Sequence, residues 1–220
     1  MSGEAVRVLV VDDDPLVRSA LVLMLGGQPD VSVVGEAVDG LDGIERVREL
    51  APDVVLMDIR MPRMSGLEAT EELHRRPDPP HVIVLTTFDA DDHVVGALAA
   101  GADGFLLKDT PPPQILAAIR AVVEGDPMLS PSVTRTLIER IRDDPVADRG
   151  EAARLRLDVL TEREQEVALA VGRGLTNAEI ARELHLSVPT VKAHVSRLFD
   201  KLQVTNRVQI AICVHDAGLV

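Results

Sequence analysis

Five short apolar runs alternate with helix-patterned segments between Val6 and Glu124, and this alternation restricts the fold more than any other feature of the chain. The runs are Val6–Val11, Val31–Val38, Val54–Met57, His81–Thr86 and Gly104–Leu107; helical periodicity follows each of them, in Pro15–Gly26, Gly40–Leu50, Ser65–Arg76, Ala90–Ala100 and Pro113–Glu124. Near-continuous Val/Leu runs suit strands covered on both faces, and parallel strands require crossover helices. The pattern predicts an α/β, doubly wound, five-stranded parallel sheet. With 220 residues in the chain, a second domain is expected beyond it.

In a sheet of this kind ligands bind outside the carboxyl ends of the strands, so the residues at those ends carry the functional information. The first strand runs into Asp12-Asp13-Asp14, the third ends in Asp58, the fourth in Thr86-Thr87 and the fifth in Lys108. Any one of these acids alone is most simply a helix cap. Their joint occurrence at converging strand ends points instead to a site. Clustered carboxylates repel one another unless a cation joins them, and Mg2+ suits a site with few protein oxygens and room for phosphate and water. A carboxylate beside such an ion, an ammonium and a hydroxyl is an arrangement for phosphoryl transfer, which makes Asp58 the candidate phosphoacceptor.

The motifs Val10-Val11-Asp12-Asp13-Asp14, Asp58-Ile59-Arg60-Met61-Pro62, Ser65-Gly66, Leu85-Thr86-Thr87-Phe88 and Gly101-Ala102-Asp103-Gly104-Phe105-Leu106-Leu107-Lys108-Asp109 resemble the flavodoxin-like receiver domain of two-component response regulators. The resemblance spans residues 6–124. It implies that Asp58 takes a phosphoryl group from a sensor histidine kinase. Asp12, Asp13, Asp58 and the Arg60 backbone carbonyl would hold Mg2+, Thr86 and Lys108 would read the phosphoryl group, and Phe105 would be the aromatic switch. Many relatives carry tyrosine at that last position, and the closest ones often carry histidine where this chain has Asp14.

Residues 126–158 read as a linker, punctuated by Asp126-Pro127, Pro131, Asp143-Asp144-Pro145 and Arg149-Gly150, with one short helix over Ser132–Arg142. From residue 159 onward helix starts are dense. Thr161-Glu162-Arg163-Glu164 and Thr176-Asn177-Ala178-Glu179 both have the capping-box pattern, Ser187 caps a helix from Val188 to about Leu202, and Asn206 starts a last one. The turn at Leu184-His185-Leu186 between the second and third of these gives a helix-turn-helix. On the third helix Val191, Val195, Leu198 and Leu202 form the core stripe. The other face presents Pro189, Lys192, Ala193 and Ser196, flanked by Thr190, His194, Arg197 and Lys201.

Leu160-Thr161-Glu162-Arg163-Glu164, Asn177-Ala178-Glu179-Ile180-Ala181, Leu186–Val195 and Asn206-Arg207 are similar to the LuxR-type helix-turn-helix. Together the two resemblances identify the chain as a NarL/FixJ-type response regulator with a receiver over 1–125, a linker over 126–158 and a DNA-binding domain over 159–220. They imply a transcription regulator rather than an enzyme. Its partners would be a sensor kinase, double-stranded promoter DNA, RNA polymerase and, when phosphorylated, a second copy of itself. By position, Lys192, Ala193 and Ser196 would meet base edges, while Thr176, Asn177, Thr190, Arg197, Lys201, Asn206 and Arg207 would supply the remaining, chiefly phosphate, contacts. Relatives often have lysine at the Ser196 position. Two other readings stay open: a receiver that dimerises without phosphorylation, and a haloacid-dehalogenase-like phosphatase using Asp12, for which Leu16 stands where a threonine is expected.

Charge is consistent with this division of labour. Residues 1–125 hold 10 Lys+Arg against 22 Asp+Glu (net −12), residues 126–158 hold 6 against 7 (net −1), and residues 159–220 hold 7 against 7 (net 0). An acidic total argues against nucleic-acid binding only where it describes the binding domain itself. With one cysteine, Cys213, an internal disulfide is excluded and a buried apolar role is expected. No apolar run is long enough for a membrane span and no signal-type leader precedes Val6, so a cytoplasmic location is expected.

Overall fold

The computed structural model of the chain describes residues 5–86, 96–126, 128–129 and 147–220. These fall into two units, one holding the residues up to Val123 with 128–129, the other holding Glu124–Asp126 and 147–220.

In the first unit β1 (Val6–Val11), β2 (Val31–Ala37), β3 (Val54–Asp58), β4 (His81–Thr86) and β5 (Gly104–Leu107) form the expected parallel sheet in the order β2-β1-β3-β4-β5. A strand the sequence reading placed in the linker, β6 (Met128–Leu129), extends the edge beyond β5, also in parallel. Helices α1 (Pro15–Leu25), α2 (Gly40–Leu50), α3 (Gly66–His74) and α4 (Pro112–Val123) cover the sheet. Residues 96–99 are helical as expected, while the start of that segment, together with Thr87, Phe88 and the helix expected over 132–142, lies outside the described residues. Because successive strand side chains point to opposite faces, Val8, Val10, Val54, Leu56, Ile83 and Leu85 pack with Leu21, Leu25, Ile115 and Ile119 of α1 and α4. Val11 and Met57, of the alternate set, lie under α2 at Gly43.

Among its described residues the second unit has five helices and no strand: α5 (Ala147–Leu157), α6 (Glu162–Gly172), α7 (Asn177–Glu183), α8 (Val188–Leu202) and α9 (Arg207–Asp216). Its core gathers Ala153 and Leu157 with Val167, Val171, Ile180, Val191, Val195, Leu198, Leu202, Ile210 and Val214. α5 therefore belongs to this unit, although its residues read as linker. Both predicted capping boxes form, at Thr161/Glu164 and Thr176/Glu179, and Ser187 and Asn206 cap α8 and α9. Between α7 and α8, Leu186 N–H reaches back to the Ala181 carbonyl (2.8 Å), and His185 takes the left-handed conformation (φ 53°) that turns the chain. Cys213 is buried. No helix among the described residues is long and apolar enough to cross a membrane.

One close approach fixes how α3 leaves the third strand. Gly66 N–H donates to the Ile59 carbonyl (3.0 Å), and a Cβ built on Gly66 would lie 1.9 Å from the Asp58 carbonyl oxygen. Backbone cannot yield as a side-chain tip does. Gly66→Ala is expected to destabilise the first unit by about 3 kcal/mol, read as a lowered urea midpoint by circular dichroism, whereas Gly96→Ala, whose Cβ would meet only a Leu67 methyl at 3.5 Å, should be nearly neutral.

Candidate functional site

The strand register brings the predicted residues to one level. Val11 pairs with Met57, Asp58 with Leu85 and Thr86 with Leu107, so Asp12, Asp58, Thr86 and Lys108 end their strands side by side. The strand order reverses direction between β1 and β3, the switch point at which α/β sheets open a crevice. Lys108 N–H also donates to the Thr86 carbonyl (2.7 Å), which locks the fourth and fifth strand ends together.

Lys108 is the electrostatic centre of this edge. Its Nζ lies 2.6 Å from Asp12 Oδ2 and 3.1 Å from Asp58 Oδ1, with all three side chains largely withdrawn from solvent. Burial pushes the Asp58 carboxyl above the ordinary carboxylate range; Lys108 opposes that shift and the Asp12 charge adds to it. Burial works to lower the Lys108 pKa, but the two carboxylates outweigh it and the ammonium is held more tightly than usual. A rise at both groups means that the site favours added positive charge. Asp12, Asp13 and Asp58 each bring a carboxylate oxygen to within 4.8 Å of one another, with Asp13 exposed and the other two buried. This all-oxygen, all-carboxylate set fits a hard divalent cation.

The neighbouring residues are placed as follows. Asp14 caps α1, its carboxylate accepting from Leu16 N–H at 2.8 Å, while Asp12 Oδ1 accepts from Asp14 N–H at 3.0 Å and so is oriented by the turn it precedes. Thr86 is buried, Arg60 is exposed on the loop after Asp58, and Phe105 is fully buried in β5 opposite Val84.

In the second unit α8 sorts its residues as expected. Val191, Val195, Leu198 and Leu202 are buried, while Pro189, Thr190, Ala193, Ser196, Arg197 and Lys201 are exposed. Thr176 is exposed at the start of α7, and Lys192 is half-buried and pairs at 3.3 Å with Glu124 of the same unit. Three of the residues expected to contact DNA, Asn177, Asn206 and Arg207, are buried in this structure, Asn177 and Arg207 partly under Glu124–Asp126. Arg207 Nη1 donates to Asn177 Oδ1 (2.7 Å) and Nη2 to the Leu175 carbonyl, while Asn206 Oδ1 accepts from Gln209 N–H (2.9 Å) at the start of α9. Arg207 and Asn177 tie the first turn of α9 to the entry of α7, while Asn206 caps α9. A partner the sequence reading missed is Glu164, which caps α6 and accepts from Lys201 Nζ at 2.7 Å. The capping box marked its local role; nothing in the spacing marked the lysine 37 residues away.

Comparison with known proteins agrees with this architecture. Residues 8–120 match the response regulator receiver domain, and residues 158–214 match the bacterial regulatory proteins of the luxR family. The transcriptional regulatory protein LiaR of Bacillus subtilis (strain 168) is 41% identical over 215 residues, covering 98% of this chain and 99% of the relative. The nitrate/nitrite response regulator NarL of Escherichia coli (strain K12) is 36% identical over 212 residues, covering 96% of each. Among solved structures, the response regulator ChrA of a heme-sensing two-component system is 33% identical, with a TM-score of 0.55 over 99% of this chain and 100% of that one. The chain belongs to the NarL/FixJ family of response regulators, with a receiver domain and a LuxR-type DNA-binding domain, the architecture of a transcription regulator.

The Glu164–Lys201 pair generates a pH dependence. The Lys201 ammonium and the Thr161 amide and hydroxyl bring the Glu164 pKa down from the ordinary 4.5 to about 2, against the effect of burial. A depressed carboxylate stabilises the fold above its unfolded-state pKa, and that contribution is lost as the pH falls through the folded-state value. Glu164→Gln keeps a capping acceptor but removes the charge, and is therefore expected to destabilise the second unit at pH 7 by up to about 1 kcal/mol, read as a lowered thermal midpoint. The difference from the wild type should shrink as pH drops from about 4.5 towards about 2. A constant difference across that window would show that the charge contributes nothing.

Proposed function

We propose that the chain is a DNA-binding response regulator switched by phosphorylation of Asp58 from a sensor histidine kinase. The observation that carries this reading is the Lys108 ammonium set between Asp12 and Asp58 at the sheet's switch point. An Asp58 carboxylate oxygen attacks phosphorus, the P–N bond to the kinase histidine breaks, and the acyl phosphate remains on Asp58. Lys108 then pairs with a phosphoryl oxygen and the Thr86 hydroxyl donates to another. Mg2+, when bound, neutralises charge on the phosphoryl oxygens; Asp12, Asp13, Asp58 and the Arg60 carbonyl would hold it.

Movement of Thr86 toward the phosphoryl group leaves space that Phe105 fills, and this coupling favours a receiver state that dimerises. Phe105 has no hydroxyl to bond at the surface, so packing alone registers the change. A shift from mostly inactive to mostly active requires about 3–5 kcal/mol of preference between the two states. The dimer places two α8 helices in successive major grooves of promoter DNA. Lys192, Ala193 and Ser196 face the bases, and Thr176, Thr190, Arg197 and Lys201 the backbone. Asn177, Asn206 and Arg207, being buried, hold α7 and α9 in place for that contact.

Labelling with phosphoramidate and Mg2+, followed by intact mass, tests the phosphoacceptor. The added mass should vanish in Asp58→Asn and persist in Asp12→Asn at high Mg2+; the reverse pattern would make Asp12 the nucleophile, as in the phosphatase reading, and sink the proposal. Unchanged DNA affinity and oligomeric state after complete labelling would favour a receiver that dimerises without phosphate. For the output domain, Lys192→Ala is expected to weaken binding to the specific site by about 1–3 kcal/mol if the ammonium reads a guanine. A uniform loss on all sequences with a shallower salt slope would make Lys192 a phosphate contact instead.

A further inference from the structure

We propose that Arg63 is a positioning residue for the phosphoacceptor loop, holding residues 59–65 against the start of α2 through an ion pair with Asp39, so that the Arg60 carbonyl stays at the metal site. The inference rests on the proposed reading of the Asp12/Asp13/Asp58 cluster as that site and of the Arg60 carbonyl as one of its ligands. Arg63 itself touches neither substrate nor metal.

The loop is fastened at both ends. At the first, Ile59 is buried and its carbonyl accepts from Gly66 N–H at 3.0 Å. At the second, Gly40 N–H of α2 donates to the Met64 carbonyl at 3.2 Å, and a Cβ on Gly40 would lie 2.8 Å from that same oxygen, so only glycine allows α2 to approach so closely. Arg63 Nε donates to Asp39 Oδ2 at 2.6 Å, and Nη2 shares the same oxygen. The other oxygen, Oδ1, accepts from Asp42 N–H at 3.0 Å and caps α2. A single buried carboxylate, 1% exposed, is thus shared between a helix start and the loop that carries Arg60.

The backbone shows the same constraint. Arg63 sits at φ 63°, a left-handed conformation that a residue with a Cβ holds only when its surroundings over-determine it. The Arg63 side chain is 57% exposed, so it contributes a tether and little packing. With residues 59, 63 and 64 pinned and Pro62 restricting its own φ, only a short span, Arg60 to Pro62, is left to set the carbonyl direction. Loss of a partner that orients a metal ligand typically costs about ten- to a hundredfold in metal affinity.

Calorimetric titration of the full chain with Mg2+ alone tests this. Arg63→Gly removes the guanidinium while accepting the positive φ, and Asp39→Asn removes the ion pair while still able to cap α2. Each is expected to raise the Mg2+ dissociation constant about tenfold. The double variant should be no worse than either single one, Arg63→Lys should fall between Arg63→Gly and the wild type, and amide exchange at Gly40 and Gly66 should quicken in step. Wild-type Mg2+ affinity in folded Arg63→Gly and Asp39→Asn chains would overturn the role of Arg63 while leaving the metal site standing. If the wild-type chain shows no Mg2+ binding that Asp12→Asn abolishes, the metal-site reading itself fails, and the Arg63 proposal with it.

Discussion

The lysine ammonium held between two buried carboxylates is the interaction on which the charged edge of the first unit depends. Withdrawing a carboxylate from water is costly unless it is paired, and here one Lys108 serves both Asp12 and Asp58. Two acids against one base leave the site short of positive charge, and the exposed Asp13 deepens the deficit. The sheet makes this possible. The runs behind the site, Val8–Val11, Val54–Met57 and Val82–Leu85, are apolar and buried, and the polar groups stand at or just past the strand ends, so the scaffold supplies rigidity and the edge carries the charge. A carboxylate on a flexible loop would relax toward solvent; Asp58, closing a fully buried strand, has no such freedom.

The same logic extends to the elements around the edge. α3 can begin directly over Asp58 because Gly66 has no Cβ, and α2 can press on the loop because Gly40 has none. Two helix starts are thereby brought against one short stretch of chain. In the second unit, long-range polar pairs do comparable work: Glu164–Lys201 ties α6 to the end of α8, and Asn177–Arg207 ties α7 to α9. The core stripe of α8 decides which side of the helix is buried, and the pairs at its margins fix how it is presented. Burial of Asn177 and Arg207 separates residues that hold the helices together from those left exposed on α8, although all lie in the same motifs.

Much of this was legible in the sequence, and the reason is physical. A strand buried on both faces is a continuous apolar run, so its polar terminus is conspicuous; Asp58 and Lys108 stood out for that reason. Capping boxes are local too, and Thr161/Glu164 and Thr176/Glu179 formed as read. What escaped notice was non-local or weakly patterned. α5 is rich in charge and alanine, with Ala153 and Leu157 as its core contributions, so it looked like linker. β6 has two residues and becomes a strand only because β5 offers an edge. Asn177 and Arg207 read as surface residues because a polar side chain's burial depends on a partner 30 residues away.

The distribution of charge constrains how any switch in this chain can act. The receiver is strongly acidic and the DNA-binding segment carries no net charge over residues 159–220, so long-range attraction to DNA is weak from the outset. On the proposed reading, phosphorylation replaces a carboxylate with a more highly charged acyl phosphate and makes the acidic half more so. Electrostatics alone would then weaken DNA binding on activation. Any gain in promoter affinity has to come from geometry: joining two helix-turn-helix units converts the second contact into an intramolecular one, raising avidity without a new protein–DNA contact. The receiver's acidity becomes useful in that scheme, since it suppresses non-specific binding by the single chain and leaves productive contact to the paired form.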